Sequence, residues 1–156
     1  MNRGTNVRIR EAVIADVPQI VWLLADDDIG VGRERLEEPL PACYLEAFGA
    51  VQADSNSLLV VAEDGGEVIG CLQLSVMPGL SFQGLSRAQI EDVRVASLHR
   101  GSGIGLRLMD WAEAEARKRG CRMLQLLVHE DRTDARRFYR SSGFNKQHRG
   151  MRKMLG

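Results

Sequence analysis

This chain of 156 residues has little of what staples or spans a protein. It holds three cysteines, Cys43, Cys71 and Cys121, with no C-x-x-C pair. An odd, scattered set of thiols argues against a disulfide framework and points to reduced cysteines in a cytoplasm. His99, His129 and His148 stand at no metal-ligand spacing with one another or with the cysteines, so no metal is expected. No apolar run approaches the ~20 residues that a membrane helix needs. The first residues, MNRGTNVRIRE, contain no apolar core, so no signal peptide is expected. There is no internal repeat, linker or low-complexity tract, and the formal net charge is zero.

What is present fits one soluble globular domain spanning 1–156: 44% hydrophobic and 27% charged residues. The zero net charge conceals a split. Residues 1–93 carry 6 Lys+Arg against 15 Asp+Glu, a net −9, and residues 94–156 carry 15 against 6, a net +9. This suggests an anionic ligand for the second half and a cationic one for the first. Alternatively, the two sets neutralise each other on folding. A basic run, ARKRG at 116–120, raises nucleic acid as a partner, but it is one turn at a helix end, where cations favour the dipole. No nucleic-acid or membrane partner is expected.

Periodicity divides the chain into short elements. Residues 7–11 alternate as a strand. Asp16 is placed to cap a helix through Pro18, Ile20, Val21, Leu23 and Leu24. Asp26, Asp27 and Asp28 then open a loop. A second helix is expected from Pro41 to about Val51, with Tyr44, Leu45 and Phe48 on one face. Strands at 57–63 and 67–76 flank the turn Asp64-Gly65-Gly66, a hairpin signature. QIEDVRV (89–95) is the next strand. Simple alternation puts Gln89, Glu91, Val93 and Val95 on one face and Ile90, Asp92 and Arg94 on the other. Ile104, Leu108, Trp111 or Ala112, and Ala116 share a helix face, and Gly120 ends that helix. CRMLQLLVH (121–129) reads as a strand buried on both sides. A short helix at 134–142 and a terminal hairpin of 144–148 with 151–155 complete an α+β fold around a central, mostly antiparallel sheet.

The stretch HRGSGIGLRLMDWAEAEARKRG (99–120) carries the chemistry. Gly101, Gly103 and Gly105 stand at the mouth of the longest helix, although Gly weakens a helix by roughly 1 kcal/mol relative to Ala. Strand, glycine turn and helix together make an anion site from free N–H groups and the helix dipole. No Lys-Ser or Lys-Thr follows Gly105, so a P-loop is excluded. Leu106 occupies the third glycine of a dinucleotide fingerprint, so that is excluded too.

Arg100 opens an R-x-x-G-x-G pattern, Val93-Arg94-Val95 precedes it, and Phe138-Tyr139 with Ser142-Gly143-Phe144 follows. In these motifs the sequence resembles the GNAT superfamily of N-acetyltransferases over about residues 7–155. MPGLSFQGLSRAQIEDVRV also resembles a bacterial branch of that family. The resemblance implies acetyl-CoA as cosubstrate, a primary amine as acceptor, and a sheet whose strands at 89–95 and 121–129 splay. It places the pyrophosphate on Arg100, Gly101, Ser102, Gly103, Ile104 and Gly105. The pantetheine arm falls along Val93, Arg94 and Val95. Arg132, where many members carry Asn, together with Arg136 and Arg137, adds charge toward phosphate. Tyr139 matches the residue that protonates the departing thiolate. Glu91 is the expected base, one pleat from Gln89, where some members carry it. The Asp26–Asp28 run borders the expected acceptor site. A homodimer is left open, as is a non-catalytic domain that only holds acyl-CoA.

Overall fold

The computed structural model describes residues 6–27, 29–30 and 32–156. Five strands form one open sheet in chain order: β1 (Arg8–Glu11), β2 (Ser57–Asp64), β3 (Glu67–Met77), β4 (Arg87–Val95) and β5 (Met123–Leu126). The first four pair antiparallel and β4–β5 parallel. One face carries α1 (Val17–Ala25) and α2 (Ala42–Ala53), the other α3 (Ile104–Lys118) and α4 (Thr133–Ser141). The α+β class expected from the pattern is the one observed.

Local rules account for most of these elements. Gly65 and Gly66 have φ of +59° and +89°, the two left-handed residues that a tight hairpin turn requires. Val60, Val61 and Ala62 of β2 are wholly buried because helices cover both faces of the central sheet. Ile104, Leu108, Ala112 and Ala116 of α3 face the sheet, joined by Met109. Gly120 (φ +78°) ends α3: its N–H reaches Arg117 O and the Cys121 N–H reaches Ala116 O, the paired bonds of a Schellman end. The three thiols are free, and burial pushes Cys71 up to about 12, which keeps it protonated.

Several expectations need correction. The 121–129 strand shortens to Met123–Leu126 and is only half-buried, because it is the sheet's edge and Leu127 beyond it is exposed. The terminal hairpin does not form: residues 144–156 make no strand, and apart from Phe144 they are exposed. That segment has four cations, no acidic residue and no β-branched side chain, so neither charge nor strand propensity favours pairing. In α2, Phe48 is buried and Tyr44 partly so, while Leu45 faces outward. Asp16 does not cap α1 with its side chain. It is buried against Arg10 with contacts of 2.7 and 3.0 Å, and accepts the Val13 N–H at 2.8 Å.

Candidate active site

The site begins with a fault in β4. The register between β3 and β4 shifts between Cys71 and Gln73, and Asp92 takes φ +53°. One extra residue in β4 makes a bulge, and a one-residue insertion exchanges the faces of everything after it. Val93 and Val95 therefore join Ala88 and Ile90 on the α3 side. Arg94, opposite Cys71, joins Glu91, opposite Gln73, on the α1 side. This replaces the simple alternation that grouped Glu91 with Val93 and Val95.

The same region is where the sheet opens. β4 pairs with β5 only from Arg87–Met123 to Ile90–Leu126. A Gln125 to Gln89 side-chain hydrogen bond of 2.6 Å lies in the paired section, and β4 then runs on beside β3 but without β5. Ala96 donates to Ile69 O of β3 at 2.9 Å. Backbone groups alternate along a strand, so Val93 and Val95 turn theirs toward the opening. There Val95 O accepts from Arg100 Nε (3.1 Å) and Val93 O from Arg94 Nη1 (2.9 Å).

The glycine turn lies beside this opening. Gly101 (φ +76°) and Gly103 (φ +84°) are left-handed, and a Cβ on either would meet no atom within 4 Å. Gly103 is the N-cap of α3 and supplies no side-chain cap. The first helical bond runs from Arg107 N to Gly103 O, which leaves the N–H groups of Ile104, Gly105 and Leu106 in the uncapped first turn. Ser102 hydroxyl is turned back to His99 O. The Ile104 side chain is in the core, so only its amide is available. Gly105 differs: it lies inside α3, and its Cβ would stand 3.4 Å from Phe138 Cζ, an ordinary contact with α4 rather than open space.

The structure brings the arginines and the first-loop aspartates together. Arg100 holds Asp26 O through Nη2 at 2.8 Å and lies 3.6 Å from the Asp26 carboxylate, which also accepts Ser97 N–H. Arg132, the N-cap of α4, reaches Asp27 at 2.8 Å, and Arg94 lies 3.5 Å from the same oxygen. Two of the three aspartates therefore neutralise cations of the basic half; Asp28 lies outside the described residues. Arg136 is half-buried on α4 and Arg137 exposed. Sequence reasoning missed the Asp27 pairing, although an acidic run in one half and an arginine-rich turn in the other were its signal.

Tyr139 is packed edge-on between Phe138 and Phe144, with centroids at 5.2 and 6.0 Å. Burial pushes its phenol above the usual range, and Arg94 and Arg132 partly offset this. The group therefore stays protonated at neutral pH, as a proton donor must. Glu91 is exposed on the opposite, α1 side of the sheet. At the end of α1, a surface cleft of about 330 Å³ is lined by Trp22, Ala25, Asp26, Glu34 and Leu36.

An uncapped helix mouth, an open strand edge and a buried phenol thus lie in one region, and residues 18–144 match the family model described as "Acetyltransferase (GNAT) family". The chain belongs to the GNAT family. It is an acyltransferase of that family. The aminoalkylphosphonate N-acetyltransferase of Salmonella typhimurium is 32% identical over 105 residues, covering 67% of this chain and 68% of the relative. The streptothricin acetyltransferase of Streptomyces lavendulae is 38% identical over 142 residues, covering 90% of this chain but 64% of the relative. Among solved structures, a Bacillus halodurans C-125 protein described as a transcriptional regulator has a TM-score of 0.94 at 45% identity, covering 96% of this chain and 100% of that one. Arabidopsis thaliana glucosamine-6-phosphate N-acetyltransferase has a TM-score of 0.76 at 16% identity over 97% and 99% of the two chains, a likeness of fold.

Proposed function

We propose that residues 1–156 form one domain that transfers an acetyl group from acetyl-CoA directly to a primary amine. The observation that carries this reading is the outer edge of β4 at Val93–Val95, which β5 leaves without a partner strand beside the glycine turn. The site suits the cosubstrate in shape: open space at Gly101 and Gly103 where side chains would stand, and uncapped amides beyond them. Acetyl-CoA, when bound, supplies the activated thioester. The amides of Gly101–Gly105 and the charge of Arg100 and Arg136 hold its phosphates. Val93 and Val95 offer backbone partners to the amide-bearing arm, as an added strand would find. The Val93 N–H polarises the acyl carbonyl. Tyr139 gives its proton to the departing sulfur, and Glu91, on the acceptor side, takes one from the incoming ammonium.

The names of two relatives, acting on an aminoalkylphosphonate and on streptothricin, support a small amine as acceptor. The exposed Glu91 and Asp92 support a cationic one. The test is a calorimetric titration with coenzyme A at two salt concentrations, followed by thiol release from acetyl-CoA with polyamines, aminoglycosides, amino acids and peptide N-termini. Binding that weakens with salt, followed by turnover with a cationic amine, supports the reading. The description of the Bacillus halodurans neighbour favours a second reading, a domain that binds acyl-CoA without turnover. Binding with no thiol release from any amine would select it.

A further inference from the structure

Three parts of the chain meet at one carboxylate. Asp27, just past the end of α1, accepts the Ile29 and Gly30 N–H groups on Oδ1 at 2.9 and 2.6 Å. Its Oδ2 faces Arg132 Nη1 at 2.8 Å and Arg94 Nε at 3.5 Å. The oxygen is fully buried, and the three side chains are only 15–23% exposed. Arg94 comes from β4 just after the bulge and Arg132 from the N-cap of α4. Tyr139 is seven positions after Arg132, about two helical turns, so both lie on the same side of α4. Among the described residues, the charged groups that act on the phenol are Arg94 from β4 and Arg132 from α4. Its other ring neighbours, Phe138 and Phe144, are uncharged.

We infer that Asp27 is a positioning residue that acts on Tyr139 through Arg94 and Arg132, holding both guanidinium groups in place and cancelling part of their charge beside the hydroxyl. Asp27 is itself ionised. Burial pushes it up, but the Gly30 amide, Arg132 and Arg94 outweigh burial and hold it below the usual carboxylate range. Two cations with one anion between them leave the phenol in a moderated positive field. Without Asp27 the field strengthens, phenolate is favoured, and the proton leaves at lower pH. Without Arg132 the field weakens and the proton leaves at higher pH. Opposite signs follow from charge alone, because loosening of the fold would not move the two variants in opposite directions. The inference rests on the proposed role of Tyr139, but its test needs no acceptor.

Tyr44 and Tyr139 are the chain's two tyrosines, so a Tyr44→Phe background isolates Tyr139. Its ionisation is read from the ultraviolet absorbance of tyrosinate. Asp27→Asn, which keeps an oxygen for the Ile29 and Gly30 amides, should lower the titration midpoint by about half a pH unit, roughly threefold in the ionisation constant. Arg132→Gln should raise it by a similar amount, and Arg132→Lys should restore it. If Asp27→Asn does not fold, Asp27→Ser takes its place, with the same expected downward shift. Shifts of the same sign, or no shift in folded variants, overturn the inference. Absence of acetyl transfer by the parent protein would overturn the proposed reaction and leave these titrations unchanged, so the two failures are distinguishable.

Discussion

Gly103 and Gly105 are two residues apart but are glycine for different reasons, and single alanines should separate them. Gly103 has φ +84° and empty space around its missing Cβ. Alanine there collides with nothing, but it must adopt a left-handed backbone at a cost of about 1–2 kcal/mol. Gly105 lies inside α3 in right-handed geometry, and its Cβ would touch Phe138 Cζ at 3.4 Å and Val95 Cγ2 at 3.9 Å, ordinary contact distances. Alanine there gains up to about 1 kcal/mol of helix propensity. For a chain of this size 1 kcal/mol moves the melting temperature by roughly 2–4 °C, so the two variants should melt roughly 2–12 °C apart, with Gly105→Ala above. Thermal unfolding by circular dichroism reads this directly. Coenzyme A calorimetry should give the matching result. Gly103→Ala puts a methyl group into the space proposed for phosphate and loses affinity, while Gly105→Ala points its methyl at Phe138 and stays within about threefold of the parent. A Gly105→Ala protein that melts below the parent, or that loses affinity while Gly103→Ala keeps it, would refute this division of roles.

Two further outcomes follow from charge. Asp16→Asn should destabilise by about 2–3 kcal/mol in chemical denaturation, because it leaves Arg10 half-paired while Glu63 still holds it at 2.6 Å. Arg10, ahead of the opposing effect of burial, holds the Asp16 carboxyl below its unfolded value, so this contribution is whole above about pH 4 and is lost as acid carries the pH down through the folded value. The variant should therefore show a flatter fall in stability on acidification, and an unchanged acid slope would count against the pairing. Glu91→Gln should steepen the rise of turnover with pH, since an amine deprived of an internal base must arrive already neutral. An unmoved profile would remove Glu91 from the reaction.

The parts of the fold that were legible in the sequence were those governed by local rules. Gly65-Gly66 fixed a hairpin, Gly120 fixed a helix end, and the 104–116 spacing fixed a buried stripe. The misreadings came where a distant partner decides. Nothing in QIEDVRV announces a bulge, although a non-glycine left-handed residue is most often Asn or Asp, and here it is Asp92. That one residue turned Val93 and Val95 to the α3 side and left Glu91 on the other. An apolar run at 121–129 looked doubly buried because the sequence does not say which strand lies at the edge. The aspartates at 26 and 27 read as an open loop bordering the acceptor site. Folding brings them to Arg94, Arg100 and Arg132, from 67 to 105 positions further along the chain, and these pairs show that the two charged halves meet in part to neutralise each other. For the glycine turn, the pattern marked the mouth of α3, but not that Gly105 faces Phe138 of α4 while Gly101 and Gly103 face open space.

The most direct measurement of the proposed reaction is steady-state thiol release from acetyl-CoA by the parent and Tyr139→Phe proteins with the best amine acceptor, paired with calorimetric affinity for coenzyme A. The phenyl ring keeps its edge-on packing with Phe138 and Phe144, and only the proton donor is lost. Equal coenzyme A affinity with turnover reduced by about tenfold or more is the predicted result, the pattern of an interaction made only in the transition state. Equal turnover in the two proteins, or a parent that does not bind coenzyme A, would contradict it.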